Sequence, residues 1–378
     1  MQQQVVVGQR RLVFLDGIRG WAALAVVFYH LLPTFVLTVS EQHSIRWLMP
    51  LMDGTLAVYV FFVISGFSLS IAFVRSGSKR GIASLAVRRY PRLAIPILAA
   101  SILGFAMMRL GLNAAPQLAA LTGRTNWPVA AYQFHETFGD AIRFALWDVF
   151  FHYELMHSYN PVLWTMSIEL AGSAIIFAAL TVLGRSPVRW FAYGALWVGC
   201  VAMDSPFSAF IAGIVLAEIY DSGTLQRLRS SPYSVPISTV LIAITWYIST
   251  VQRHLYSATT TISILGTILV ASVLVNNRFI GAMETRLSHK LGLLSFPLYL
   301  THVVIVCIVG SRLGIWLIGF GINGFALAAL ELLVVVPLCI GGALLFYPVE
   351  LLAVETGRRL ARVCGLSSSA NLPGKPES

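Results

Sequence analysis

A compact group of charges, Arg11, Asp16 and Arg19, runs directly into an apolar stretch that carries one ionisable residue, His30 (RLVFLDGIRGWAALAVVFYH, residues 11–30). At about 1.5 Å per residue on a helix, His30 lies roughly 16 Å beyond Arg19. That is near the middle of a hydrocarbon core about 30 Å thick. A polar side chain at that depth is costly and marks a functional site by default. Asp16 and Arg19 stand at i, i+3 and can pair on one helical face. His30, eleven residues beyond Arg19, is about three turns further along the same face. The charges could hold an anionic substrate at the membrane surface and the histidine could move a proton inside. A lone buried histidine can equally well bond a neighbouring helix, but the charges aligned below it favour chemistry.

Three further stretches carry the same kind of signal. Residues 75–92 hold six basic side chains and no acid. Arg75, Lys79 and Arg80 read as a topogenic patch meeting anionic headgroups. Arg89 and Arg92, spaced i, i+3 at the mouth of an apolar segment just before Pro96, suit a bidentate grip on phosphates, as a nucleotide-bearing donor requires. In WTMSIE (residues 164–169) the carboxylate of Glu169 enters another apolar segment, where it needs an Arg, a His, a hydroxyl or a proton. In SFPLYLTH (residues 295–302), Ser295, Tyr299 and His302 recur at i, i+4, i+7 and line one helical face, as packing polar groups or as a substrate path. His43, His254 and His289 fall in connecting segments. There is no HExxH, CxxC or Walker pattern and no Gly-x-Ser-x-Gly, so neither a metal centre nor a hydrolase serine is expected.

The elements that must position these residues are apolar helices. Hydrophobic residues make up 57% of the 378-residue chain and charged residues only 11%, whereas a soluble domain is about a quarter charged. The expectation is an all-α integral membrane protein of about ten transmembrane helices. The segments lie near 18–38, 54–73, 93–110, 164–184, 188–204, 207–221, 233–250, 258–275, 291–311 and 322–346. With both termini cytoplasmic, about 20 of the 26 Lys and Arg fall on the cytoplasmic side, in clusters at residues 10–19, 75–92, 278–290 and 358–362. That asymmetry explains the net charge of +10 without any nucleic acid. Cys200, Cys307, Cys339 and Cys364 are scattered and form no disulfide framework. The N-terminal stretch reads as a retained first span, because Asp16, Arg19 and His30 interrupt it and no small-residue cleavage site follows.

Segment 140–156 is too charged for a span and reads as an interfacial helix. The longest outer connection, residues 111–163, holds Pro116, Pro128, Pro161, His135, His152 and His157; a connection of that length in a compact fold is usually functional or disordered, and its aromatic content argues for order. Residues 1–350 form one transmembrane domain; residues 351–378 are a basic cytoplasmic segment with a disordered tail from 365.

Together these stretches resemble the acyltransferase 3 family of integral membrane O-acyltransferases. Residues 11–30 are similar to its opening motif of Leu-Asp-Gly-x-Arg-Gly with a downstream His. FFVISGF (61–67) is similar to its second-helix signature, and RRYPRLAIP (88–96) to its Arg-x-x-Arg element. Residues 164–169 resemble its Trp-Ser-x-x-Glu element, with Thr165 in place of the serine, and residues 295–302 its Ser-x-x-Leu-Tyr-x-x-His ending. The resemblance spans residues 10–350. It implies a plasma (inner) membrane O-acyltransferase that uses acyl-CoA, most simply acetyl-CoA, as co-substrate, with no tightly bound cofactor. The implied acceptor is a sugar hydroxyl of a surface or lipid-linked glycan. It further implies catalytic roles for His30, Asp16 and Glu169, donor binding by Arg19, Arg89 and Arg92, and an acceptor path past Tyr299 and His302. Asp16 would orient Arg19 or His30, and Glu169, Tyr299 and His302 would serve the outer half of the path. An unperturbed imidazole pKa near 6.5 suits His30 as a general base. The competing readings are a proton-coupled secondary transporter, with the buried His and Glu as its relay, and a non-catalytic membrane partner. The transporter would be expected to show inverted repeats, and the chain has no clear internal repeat.

Overall fold

The computed structural model describes residues 12–37, 39–123, 132–250 and 258–366. Arg10, Arg11, Pro128, His254 and the tail from 367 lie outside the described residues. The described chain is helical, with no strand. Its principal helices are α1 (Val13–Leu31), α2 (Gly54–Ser76), α3 (Lys79–Arg109), α4 (Thr165–Leu183), α5 (Arg189–Ala202), α6 (Phe207–Asp221), α7 (Ser234–Thr250), α8 (Thr259–Leu274), α9 (Arg286–Leu293), α10 (Ser295–Ile305), α11 (Ser311–Gly319) and α12 (Gly324–Val363). A π-helical turn, Val306–Gly310, joins α10 to α11.

Each of the ten apolar segments contains a helix, but they differ in reach. Among the described residues five helices are long and apolar enough to cross a membrane: α2, α3, α4 with the turn before it, α10 with α11, and α12. A sixth counts if α8 and the short helix Asn277–Met283, bent by 98°, form one span. Helices α5, α6 and α7 run for 14, 15 and 17 residues, about 21–26 Å, and α1 carries Asp16 and Arg19 inside its 19 residues. Counting apolar residues overlooked where each helix begins and ends.

The basic stretch 75–92 is helical except at Gly77 and Ser78. Asp53 accepts from Leu56 N to start α2, and Gly77 closes that helix in the left-handed region at φ 69°. Ser78 then caps α3 at once by accepting from Gly81 N. From there α3 continues unbroken through Pro91 and Pro96. Arg89 and Arg92 therefore lie about 15 and 20 Å along the helix, well inside it.

Close packing rests on glycines. A Cβ on Gly66 of α2 would stand 2.2 Å from the Phe210 carbonyl of α6, and one on Gly213 of α6 would meet the Val63 carbonyl at 2.2 Å. The two glycines of the opening motif serve the same end. A Cβ on Gly17 would meet the Met283 carbonyl at 2.1 Å, and one on Gly20 the Gly292 nitrogen at 2.5 Å. Helix α1 is thereby fixed against α9 and beside α10, while α3 lies along α12 and α4.

Segment 140–156 is helical as far as Phe151: the helix Phe138–Arg143 runs on through a π-helical turn, Phe144–Asp148, into Val149–Phe151. The stretch that follows is tied to the bundle: Asn160 Nδ2 donates to the Leu300 carbonyl at 2.7 Å, and the Tyr153 hydroxyl to the Pro161 carbonyl at 2.8 Å.

Candidate active site

A buried polar contact joins the first motif to the last. His30 Nδ1 stands 2.9 Å from His302 Nε2, with both side chains buried, and the rings stack at 5.1 Å. The tautomers follow from the surrounding acceptors. His302 Nδ1 is 3.0 Å from the Leu298 carbonyl, which can only accept, so Nδ1 carries the hydrogen and Nε2 the lone pair. His30 Nδ1 must then donate to His302 Nε2, which leaves the lone pair of His30 on its own Nε2. A chain of N–H groups thus runs from His30 through His302 to backbone, and a proton taken up at His30 Nε2 would spread its charge along that chain. This is the arrangement of a base with an orienting partner.

His30 lines a cavity with Tyr29, Thr55, Val58, Tyr153, Trp164 and Tyr299. Burial pushes the Tyr153 phenol up to about 12, so it remains a hydrogen-bond donor at physiological pH. Val58 and Tyr299 also line a second cavity, which holds Arg19, Arg89, Arg92, Glu169, Glu350 and Ser65. Three guanidiniums against two carboxylates leave this second cavity cationic. The wall between the two is held by Tyr299, whose hydroxyl donates to the Val162 carbonyl and receives Thr165 Oγ1 at 2.8 Å. Thr165 preserves the hydroxyl of the serine it replaces, and that hydroxyl fixes the wall.

Three sequence expectations change here. Glu169 does not stand with the histidines on an outer path. It forms an ion pair with Arg89, both side chains 12% exposed, and accepts from Ser65 Oγ. A carboxylate at this depth needs a counter-ion, and α3 extends far enough into the bundle to supply it. Asp16 is about 21 Å along α1 from His30 and packs where Gly292 of α9 crosses α1, so it does not reach the histidine; His302 does. His302 contacts His30 and is not among the residues lining the two cavities, whereas Tyr299 lines both.

Arg19, Arg89 and Arg92 line one cavity. Arg92 feels the charges of Arg19, Arg89, Arg88 and Glu350, and Arg89 Nε is buried with no hydrogen-bond partner among the described residues. A buried guanidinium N–H without an acceptor suits a ligand that brings one. Sequence reasoning passed over Ser65 and Glu350. Ser65 lay in plain view within FFVISGF, and Glu350 was an isolated acid in an apolar run. Among the described residues no cluster of His, Cys, Asp or Glu could hold a metal ion.

The helical bundle thus holds a buried histidine pair and an adjoining arginine-lined cavity. Residues 12–348 match the family profile described as an acyltransferase domain, and the chain belongs to that acyltransferase 3 family. It is 28% identical over 264 residues to Nodulation protein 10 of Rhizobium leguminosarum bv. viciae, a match covering 62% of this chain and 66% of the relative. The chain thus aligns with just under two thirds of that relative's length. No solved structure matches.

Proposed function

We propose that this protein is a multi-pass O-acyltransferase of the cell's inner membrane that moves an acyl group, most simply acetyl, from acyl-CoA to a sugar hydroxyl of a surface or lipid-linked glycan. Both termini would be cytoplasmic, with ten segments embedded, the shorter helices reaching only part of the way across. Arg19, Arg89 and Arg92 would receive the phosphates of the donor, with Glu169 holding Arg89 in place. The thioester would pass the wall at Val58 and Tyr299. His30 Nε2 would take the proton of the acceptor hydroxyl as its oxygen bonds to the thioester carbon. The carbon–sulfur bond would then break, and the thiolate would leave with the proton returned from His30. His302 would stabilise the imidazolium between these two events, and no cofactor or metal is required by the scheme.

The observation that carries this reading is the buried contact of His30 with His302 beside a cavity that shares Val58 and Tyr299 with the arginine cavity. Membership of an acyltransferase family weighs against the proton-coupled transporter. The test is transfer of labelled acetyl from acetyl-CoA to glycan by membranes carrying the native chain or His30→Ala. Label reaching glycan only with the native chain supports the proposal; equal transfer by His30→Ala removes the histidine from catalysis.

A further inference from the structure

Helices α3 and α12 both reach the arginine cavity, where Arg92 and Glu350 line it together, and their pairing continues beyond it. A Cβ on Gly357 of α12 would stand 3.3 Å from the Arg88 carbonyl and 3.4 Å from Arg88 Cβ, so the two helices meet there at backbone contact. At the far end Arg80 Nη2 donates to the Gly365 carbonyl. Arg80 to Arg88 and Gly357 to Gly365 are equal lengths of chain, about 12 Å of helix each. The antiparallel pair therefore keeps one register from the cavity outwards. Because Arg358 follows Gly357, the close crossing brings Arg358 beside Arg88, which lies within reach of its charge. Arg88 stands one turn from Arg92, about 6 Å along α3, and Arg92 feels its charge in turn. A row of guanidiniums thus leads out of the cavity along the crossing.

Most arginines of this arm have acceptors. Glu355 Oε1 accepts from Arg359 Nε and from Arg362 Nη2, each at 3.0 Å. Arg80 is held by the Gly365 carbonyl and Arg89 by Glu169. Arg88, half-buried on α3, and Arg358, exposed on α12, are left over: among the described residues neither donates a hydrogen bond or forms an ion pair. Glu355 is near enough for Arg358 to act on it, but its Oε1 is already shared by the two arginines that follow. Two like charges held together at a helix crossing repel each other until an anion joins them. Guanidiniums grip phosphate through paired N–H donors, and a phosphomonoester offers up to two charges and three free oxygens. The order of groups in acyl-CoA fits this row. From the thioester, the pantetheine chain leads to the diphosphate, and beyond that comes a ribose bearing a separate 3′-phosphate. With the thioester at Val58 and Tyr299 and the diphosphate at Arg19, Arg89 and Arg92, the ribose falls outside the cavity, one helical turn on, at Arg88.

We infer that Arg88 and Arg358 form a subsite for the 3′-phosphate of the donor, so that the protein distinguishes CoA from 3′-dephospho-CoA. The inference rests on the acyl-CoA reading of the arginine cavity and adds to it the pair that recognises the far end of the nucleotide. The experiment titrates the full chain, in phosphatidylcholine nanodiscs, with CoA and with 3′-dephospho-CoA by calorimetry. Expected is binding of CoA at least about tenfold tighter than binding of the dephospho form. Arg88→Gln and Arg358→Gln should each weaken CoA and leave 3′-dephospho-CoA unchanged, and the double variant should bind the two alike. Arg358 is exposed, so its substitution does not threaten the fold. Arg89→Ala, by contrast, should weaken both nucleotides equally. Equal binding of the two by the native chain, or a preference that survives in the double variant, overturns the subsite and leaves the acyl-CoA reading standing. Binding of neither nucleotide overturns both. The same titrations with phosphatidylglycerol in the nanodiscs separate the two sources of phosphate. A preference that persists there supports the nucleotide; one that the anionic lipid abolishes gives the pair to lipid headgroups and overturns the inference.

Discussion

His302→Ala separates a base with an orienting partner from a pair of histidines that merely pack. In the native site the His30 Nδ1–H donates to His302 Nε2 at 2.9 Å. That bond strengthens when His30 takes up the acceptor's proton and becomes charged. Hydrogen bonds to charged groups contribute about 1.5–3 kcal/mol, and about 1.4 kcal/mol is tenfold in rate. Loss of His302 should therefore lower kcat roughly 10- to 150-fold, with the KM for acyl-CoA unchanged because the arginine cavity is untouched. His30→Ala removes the base itself and should cost about 10²- to 10⁴-fold. The double variant should be no worse than His30→Ala, since His302 acts only through His30. His302→Gln restores an acceptor oxygen and should recover part of the loss, which a purely packing role would not show. The assay is initial-rate transfer from labelled acetyl-CoA, at matched levels of inserted protein. If His302→Ala costs as much as His30→Ala, or if the two losses multiply in the double variant, the orienting role is wrong.

Other consequences can be measured the same way. Arg89→Ala with Arg92→Ala should raise the KM for acyl-CoA at least about tenfold through lost charged hydrogen bonds; an unchanged KM would return both to topology. Glu169→Gln should act through Arg89 and raise the same KM, and a loss confined to kcat would restore Glu169 to catalysis. Gly66→Ala should abolish folded protein in a size-exclusion assay, because its Cβ would sit 2.2 Å from the Phe210 carbonyl; a well-folded variant would refute that packing. Asp204, at the start of α8, accepts from Thr260 N at 2.7 Å and Thr259 N at 3.2 Å, and these bonds hold its carboxyl below the ordinary value of 3.8. A lowered folded pKa means stability that is present above 3.8 and lost as pH falls through the lowered value. The Tm gap between native chain and Asp204→Asn should accordingly narrow on acidification, and a gap that widens would contradict the assignment.

What was legible in the sequence was what depends on residue type and local period. His30 at helical spacing from Arg19 and the stripe Ser295, Tyr299, His302 each named a face, and those faces do meet. What it could not show was which faces meet. His302 was read as part of a path because its partner lies 272 residues away. Glu169 was assigned to the outer half because the true length of α3, capped by Ser78 and continuous through two prolines, hides behind Pro91 and Pro96. Composition reports an apolar stretch but not the cap that ends it, so the ten apolar segments hold helices of unequal length. The glycines of the opening motif are contact points between α1 and its neighbours, which residue type alone does not reveal.

The most direct test of the central claim is a single-turnover experiment with purified protein, acetyl-CoA labelled in the acetyl group, and extracted surface glycan, comparing the native chain with His30→Ala. Expected is label on the glycan, with one equivalent of free thiol released per label transferred, for the native chain alone. Acetyl-CoA that binds neither protein, or label that moves equally well without His30, would contradict it.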